Sequence, residues 1–251
     1  MTGQSTWTGF DLHPERRYMP ELTRGISAGS YFSPRTLPAG SGEREICPAQ
    51  HNTHFFLYPA YQSPCMTIES EAVKSVAGLM ALSARTAPKA VGLDSIKVEV
   101  LTGKDQDKLA SLMIKQGKDL RIDFFRVNGE QVKVSDATLL IGVEGRTPLG
   151  VNCGGCGHAS CAEMAKAVKA HKNKKALYPG PNCVLKISDL GIAVGSAVKT
   201  ASIHNVDNRI MFSAGVVALQ LGMLKECSVA YGIPLKASGK NIFWDMKFAE
   251  H

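Results

Sequence analysis

The sequence predicts an α/β fold, a small sheet covered by helices, behind an irregular N-terminal segment. Three observations predict it. Four segments carry apolar residues at helical spacing. Three shorter segments read as strands, one by alternation and two as continuous apolar runs. All of this patterning begins after Met66, while seven of the chain's 12 prolines fall in residues 1–65.

The elements follow in order. Residues 1–65 hold no lysine, and turn pairs such as Ser33-Pro34 and Ser63-Pro64 interrupt them every few residues. Proline this dense leaves little room for helices or paired strands. The segment is expected to be an irregular or disordered extension, carrying Cys47, Cys65 and the aromatic patch His54 to Tyr58. The composition break marks Met66 as a natural start; a regulatory arm packed on the domain is the competing reading. Residues 66–251 then form one domain. Val73, Val76, Ala77, Met80 and Ala84 define a helix over Ile68 to Ala84, which Pro88 ends. Thr67 or Ser70 would cap it. Ile96 to Leu101 alternates as a strand with one buried face. Leu109, Leu112 and Met113 place a helix over Lys104 to Gln116, with Gly117 as its stop. Ala137 to Val143 is an uninterrupted apolar run, expected as a central strand. Two helices follow a cysteine-rich loop, one striped by Leu190, Val194, Ala197, Val198 and Ala201, the other by Ile210, Ala214, Val217, Ala218 and Leu221. Asn205 to Asn208 breaks them, with Asp207 or Asn208 as the cap of the second. Ser228 to Ile233 is a last buried strand, ended by Pro234.

Composition narrows the function. With 251 residues, 44% of them hydrophobic and 20% charged, the chain builds a real core. No window approaches the roughly 18 apolar residues of a membrane span, so no membrane role is expected. No secretory signal pattern is present, which makes the cytoplasm the expected compartment. The net charge of +7 falls entirely after residue 65, where Lys166, Lys169, Lys172, Lys174 and Lys175 crowd together. No aromatic interleaves these lysines as base stacking requires, so nucleic acid is not an expected partner. A solvated helix end explains them; docking of an acidic partner is the alternative.

Four of the seven cysteines lie within Cys153 to Cys183, which points to metal or redox chemistry rather than a disulfide framework. The spacing is Cys153-x2-Cys156-x4-Cys161, with Cys183 beyond a further 21 residues. A cubane iron–sulfur cluster needs four thiolates arriving from several directions. Gly154, Gly155 and Gly157 let backbone amides come close to inorganic sulfide. Zinc competes, because four cysteines also close a tetrahedral site. A zinc ribbon shows two short-spaced pairs, whereas here a glycine-rich triplet precedes a distant single. The expected metal ligands are therefore Cys153, Cys156, Cys161 and Cys183 of a four-iron four-sulfur (4Fe-4S) cluster. His158 is expected as a loop residue beside it, and Cys227 as a small core residue.

The run from Cys153 to Ala165 resembles the 4Fe-4S domain of electron-transport complex subunits and corrinoid iron–sulfur proteins. The wider chain, about Met66 to Asp245, is similar to a family of ferredoxin domain-containing proteins of anaerobic bacteria and archaea. Leu79 to Ala90, Asp189 to Thr200, Asn205 to Met211 and Gly232 to Leu235 carry that likeness beside the cysteines. The likeness implies no particular reaction; the cluster itself gives the expectation of single-electron transfer in anaerobic redox metabolism, with a redox partner protein. The order of elements is also similar to that of flavin nitroreductases, through the Ala87-Pro88 turn and Gly232-Ile233-Pro234. That likeness implies flavin mononucleotide (FMN), with Arg85, Lys89 and Arg209 as candidates for its phosphate or another anion. Two features depart from it: no arginine pair directly precedes Ser70, and Lys89 replaces a small hydroxyl after Ala87-Pro88.

Three functions follow as expectations: a cluster protein carrying electrons, a flavin-dependent reductase with an auxiliary cluster, or a zinc-stabilised binding module. A homo-oligomer stays open. Ser238-Gly239-Lys240 reads as a polar turn rather than a phosphate loop. Gly191, Gly195 and Ser196 read as residues of close helix packing.

Overall fold

The computed structural model describes residues 67–170 and 176–244. The readings placed on residues 1–65, with Cys47, Cys65 and His54 to Tyr58, lie outside the described residues, as do Lys172, Lys174 and Lys175. The order is α1 (Ile68–Thr86), β1 (Ile96–Leu101), α2 (Gly103–Leu120), α3 (Asp123–Val134), β2 (Ala137–Val143), α4 (Cys161–Ala170), α5 (Val184–Ile203), β3 (Asp207–Asn208), α6 (Phe212–Gln220) and β4 (Val229–Lys236). The four strands form one antiparallel sheet in the order β1-β2-β4-β3.

The expected α/β layering is present, and the central strand shows why. Every residue of β2 is buried. Leu139, Ile141 and Val143 point to a core shared with α1 and α5, including Met80, Leu190 and Ala197. Leu140 points the other way, to a core shared with α2, α3 and α6, including Leu109, Phe125 and Val217. A pleated strand covered on both faces takes apolar residues at nearly every position; the polar exception, Thr138, is buried with its hydroxyl donating to Gln106 Oε1 at 3.2 Å. Gly215 lets α6 lie on the sheet: a Cβ there would be 1.8 Å from the Ala230 carbonyl oxygen.

α1 begins as expected, with the Thr67 hydroxyl accepting from the Ser70 amide at 3.2 Å. Gly117, however, does not stop α2. The helix runs to Leu120 and ends at Arg121 in the left-handed conformation. Gly117 instead receives α3, since a Cβ there would stand 2.4 Å from the Arg126 amide nitrogen. Gly129 does the same from α3, facing Ile114.

Three further expectations are corrected. Asp207 and Asn208 do not cap α6; they form β3 opposite Lys236 and Leu235, and α6 follows Met211 with no side-chain cap. Pro234 does not end β4, which continues to Lys236. Gly232 exchanges hydrogen bonds with Met211 on the side away from β2. Two residues on, Pro234 faces that same side, where no paired residue needs its missing N–H. Gly191 and Gly195 are exposed, with nothing within 4 Å of an added Cβ, so close helix packing does not explain them. Among the described residues no helix is long and apolar enough to cross a membrane.

Candidate metal centre

The cysteines lie where β2 leaves the sheet and α5 returns to it. Glu144, just past β2, is tied to the Ser95 carbonyl through its amide. The next residue, Gly145, accepts the Cys183 amide at 2.8 Å and donates its own amide to Ser228 Oγ at 3.0 Å. Ser228 Oγ donates to Asn182 Oδ1 at 2.6 Å, and Asn182 Nδ2 donates to the Pro179 carbonyl. This network pins the segment carrying Cys183 to the sheet. Cys183 is the N-cap of α5 and is 5% exposed, so its thiol sits at the positive pole of a 20-residue helix.

Cys161 has the same electrostatic position, as the first residue of α4. That helix starts on a side-chain cap: Ser160 Oγ accepts the Glu163 amide at 3.2 Å, while Glu163 Oε2 reaches back past the cap to accept the Ala159 amide at 3.1 Å. Asn152 closes the loop by accepting the Cys161 amide through Oδ1 at 2.8 Å and donating its own amide to Cys161 Sγ at 3.3 Å. At the far end of α4, Arg146 donates to the Val168 carbonyl at 2.7 Å. The fragment Ser-Cys-Ala-Glu is a readable helix start that the cysteine pattern overshadowed.

The turn between Cys153 and Cys156 depends on its glycines. Gly154 and Gly157 have φ of 71° and 83°, where other residues are strained. A Cβ on Gly155 would stand 2.6 Å from Val184 Cγ1 and 3.8 Å from Cys153 Sγ. The first cysteine pair is thereby packed against the residue that follows Cys183. All five cysteines among the described residues are free thiols, running from exposed Cys153 to buried Cys183. An all-thiolate donor set selects zinc or an iron–sulfur cluster over hard cations. Among the described residues, no three His, Cys, Asp or Glu side chains converge on one point for a single ion.

Cys227 is a packing residue. It lies against β2, 2.9 Å from where a Gly142 Cβ would be, and burial pushes its thiol up to about 11. His158 is half-buried in the cysteine loop. The three anion candidates each have partners of their own. Arg85 Nη1 donates to Asp94 Oδ2 and the Ile96 carbonyl, each at 2.6 Å. Lys89 donates to the Ala87 carbonyl at 2.8 Å and lies 3.9 Å from Asp94. Burial raises the Asp94 carboxyl, but the Arg85 hydrogen bond, the Ile96 amide and both cations outweigh it and hold it low. Arg209 stacks over the Trp244 ring at 5.7 Å.

A family model described as "uncharacterized protein containing a ferredoxin domain" matches residues 179–246. A second, for an Fe-S cluster, matches residues 150–176. Together the two matches take in Cys153, Cys156, Cys161 and Cys183. An uncharacterized protein of Archaeoglobus fulgidus is 42% identical over 177 residues, covering 70% of this chain and 93% of that one. Among solved structures, nitroreductase A from Vibrio parahaemolyticus matches with 11% identity and a TM-score of 0.42, over 67% of this chain and 60% of that one. The nitroreductase CinD of Lactococcus lactis, in complex with nicotinic acid, matches with 14% identity and a TM-score of 0.44, over 69% and 85%.

Proposed function

This chain belongs to the family of proteins containing a ferredoxin domain, and from that premise we propose that it holds a 4Fe-4S cluster on Cys153, Cys156, Cys161 and Cys183 and carries single electrons in anaerobic metabolism. The observation that carries the proposal is the close approach of Gly155 to Val184, which sets the Cys153–Cys156 turn beside the helix start that Cys183 caps. Such a cluster, when bound, supplies a one-electron couple. The chain's own part is electrostatic and protective. Thiolates at the N-termini of α4 and α5 sit at helix poles that favour negative charge. The Asn152 amide donates to Cys161 Sγ and lowers the charge on that sulfur.

Exposed Cys153 marks the edge nearest solvent. Lys166 and Lys169 on α4 are exposed beside the cysteine loop. They suit an acidic redox protein as partner, drawn by charge and released by salt. The cytoplasm is the compartment that keeps such thiols reduced.

Anaerobic purification tests the reading. A brown protein with about four iron and four sulfide per chain is expected. Stoichiometric zinc without iron would overturn it in favour of a zinc-stabilised module. FMN released on heating would instead establish the flavin reductase.

A further inference from the structure

Lys186 is a buried charge that the thiol ligands do not account for. It lies on α5 three residues after Cys183, about 4.5 Å further along the helix, and its side chain is 6% exposed. An ammonium withdrawn from water costs several kcal/mol unless it is paired. Its Nζ donates to the Glu144 carbonyl at 3.0 Å and to Glu144 Oε2 at 3.3 Å. The Thr147 hydroxyl also donates to that carboxylate. Glu144 precedes Gly145, whose carbonyl holds the Cys183 amide. The ion pair therefore ties the same two segments that position the fourth cysteine.

Tying them does not require charge, because an apolar side chain of similar length fills such a space at equal or lower cost. A charged pair adds a field. An ammonium favours an extra electron on a neighbouring anionic centre, and a carboxylate opposes it; both act strongly where water is excluded. The two members are unequal, since the Glu144 side chain is 38% exposed and screened while that of Lys186 is not.

We propose that the Lys186–Glu144 pair sets the reduction potential of the centre held by Cys183, with Lys186 raising it and Glu144 lowering it. The proposal rests on the cluster reading, and Lys186 acts here as a positioning residue that touches no substrate. The test uses the full chain, purified anaerobically, with iron counted and the potential titrated spectroscopically. Lys186→Met should lower the reduction equilibrium constant about tenfold, 59 mV for one electron. Glu144→Gln should shift it the opposite way and by less. Lys186→Arg should stay near wild type. Pure loosening of the loop would move the first two in one direction. Equal-direction shifts, or a fully loaded Lys186→Met with an unchanged potential, overturn the proposal. If Lys186→Met does not load, the sign of the Glu144→Gln shift decides. Wild-type protein without iron overturns the cluster reading itself, an outcome visible before any potential is measured.

Discussion

The α2–α3 hairpin and the cysteine loop are held by opposite means. The hairpin is a close contact of backbones: Gly117 against Arg126, Gly129 against Ile114, with Phe125 and Met113 fully buried. The cysteine loop buries little. Met164 is the one fully buried side chain of α4, and the loop is held by directional bonds from Asn152, Ser160, Glu163, Arg146 and Asn182. The loop leaves Cys153 exposed and Cys156 and Cys161 part-buried, while Cys183, at the start of α5, is buried. The difference teaches that the scaffold stands on apolar packing, whereas the site draws its rigidity from hydrogen bonds and, when loaded, from its metal.

The largest effect should come from forcing the scaffold. Gly215→Ala places a Cβ 1.8 Å from the Ala230 carbonyl oxygen, so α6 must lift from β4. A loss of about 4 kcal/mol is expected, read from the denaturant midpoint. Iron-free and iron-loaded protein should lose equal amounts. An unequal loss would mean that the two regions are not independent.

Next comes removal of a proposed ligand. Cys183→Ser should lose the cluster while the α2–α3 amides keep their protection from hydrogen exchange. The amides of α4 should exchange faster. Cys227→Ala, which alters packing against β2 near Gly142, should keep its iron. A full iron count in Cys183→Ser would show that the fourth ligand lies elsewhere.

A smaller change isolates one directional bond. Ser160→Ala removes the acceptor for the Glu163 amide and should cost about 1 kcal/mol. The loss should appear in α4 exchange and in the rate of iron release, with little change in the global midpoint.

What was legible follows the same division. α1, β1 and β2 could be bounded to within two residues from their apolar patterns, although β1 does not bury the single alternating face expected of it: Ile96 and Leu101 at its ends are buried, while Val98 is half-buried and Val100 exposed. α3 went unread because its inward positions include Arg126, Asn128, Gly129 and Gln131, which leave no apolar stripe. Gly117 looked like a stop because glycine has two uses, and only the position of α3 decides between them. β3 is two residues long, too short for a period. The four cysteines stood out by spacing alone. Lys186 and Glu144 did not: their meaning is an ion pair formed across 42 residues of chain.

The smallest effect lies on the scaffold side, at Asp94. Burial raises its carboxyl; the hydrogen bonds and charges of Arg85, Ile96 and Lys89 lower it by more. A carboxyl lowered in the folded protein contributes stability above its unfolded value, near 4, and loses it as pH falls through the folded value. The Asp94 side chain is 39% exposed, so water screens the interaction and the contribution stays within about 1 kcal/mol. Asp94→Asn should therefore melt slightly below wild type at neutral pH, and the gap should close below about pH 4. A gap that persists to the lowest measurable pH would show that Asp94 acts through the shape of the turn and its bond to the Ile96 amide. The cysteine loop is not expected to follow this titration, since Arg85 and Lys89 converge on Asp94. Iron release that tracks Asp94 would then show that the turn before β1 and the metal centre share one cooperative unit.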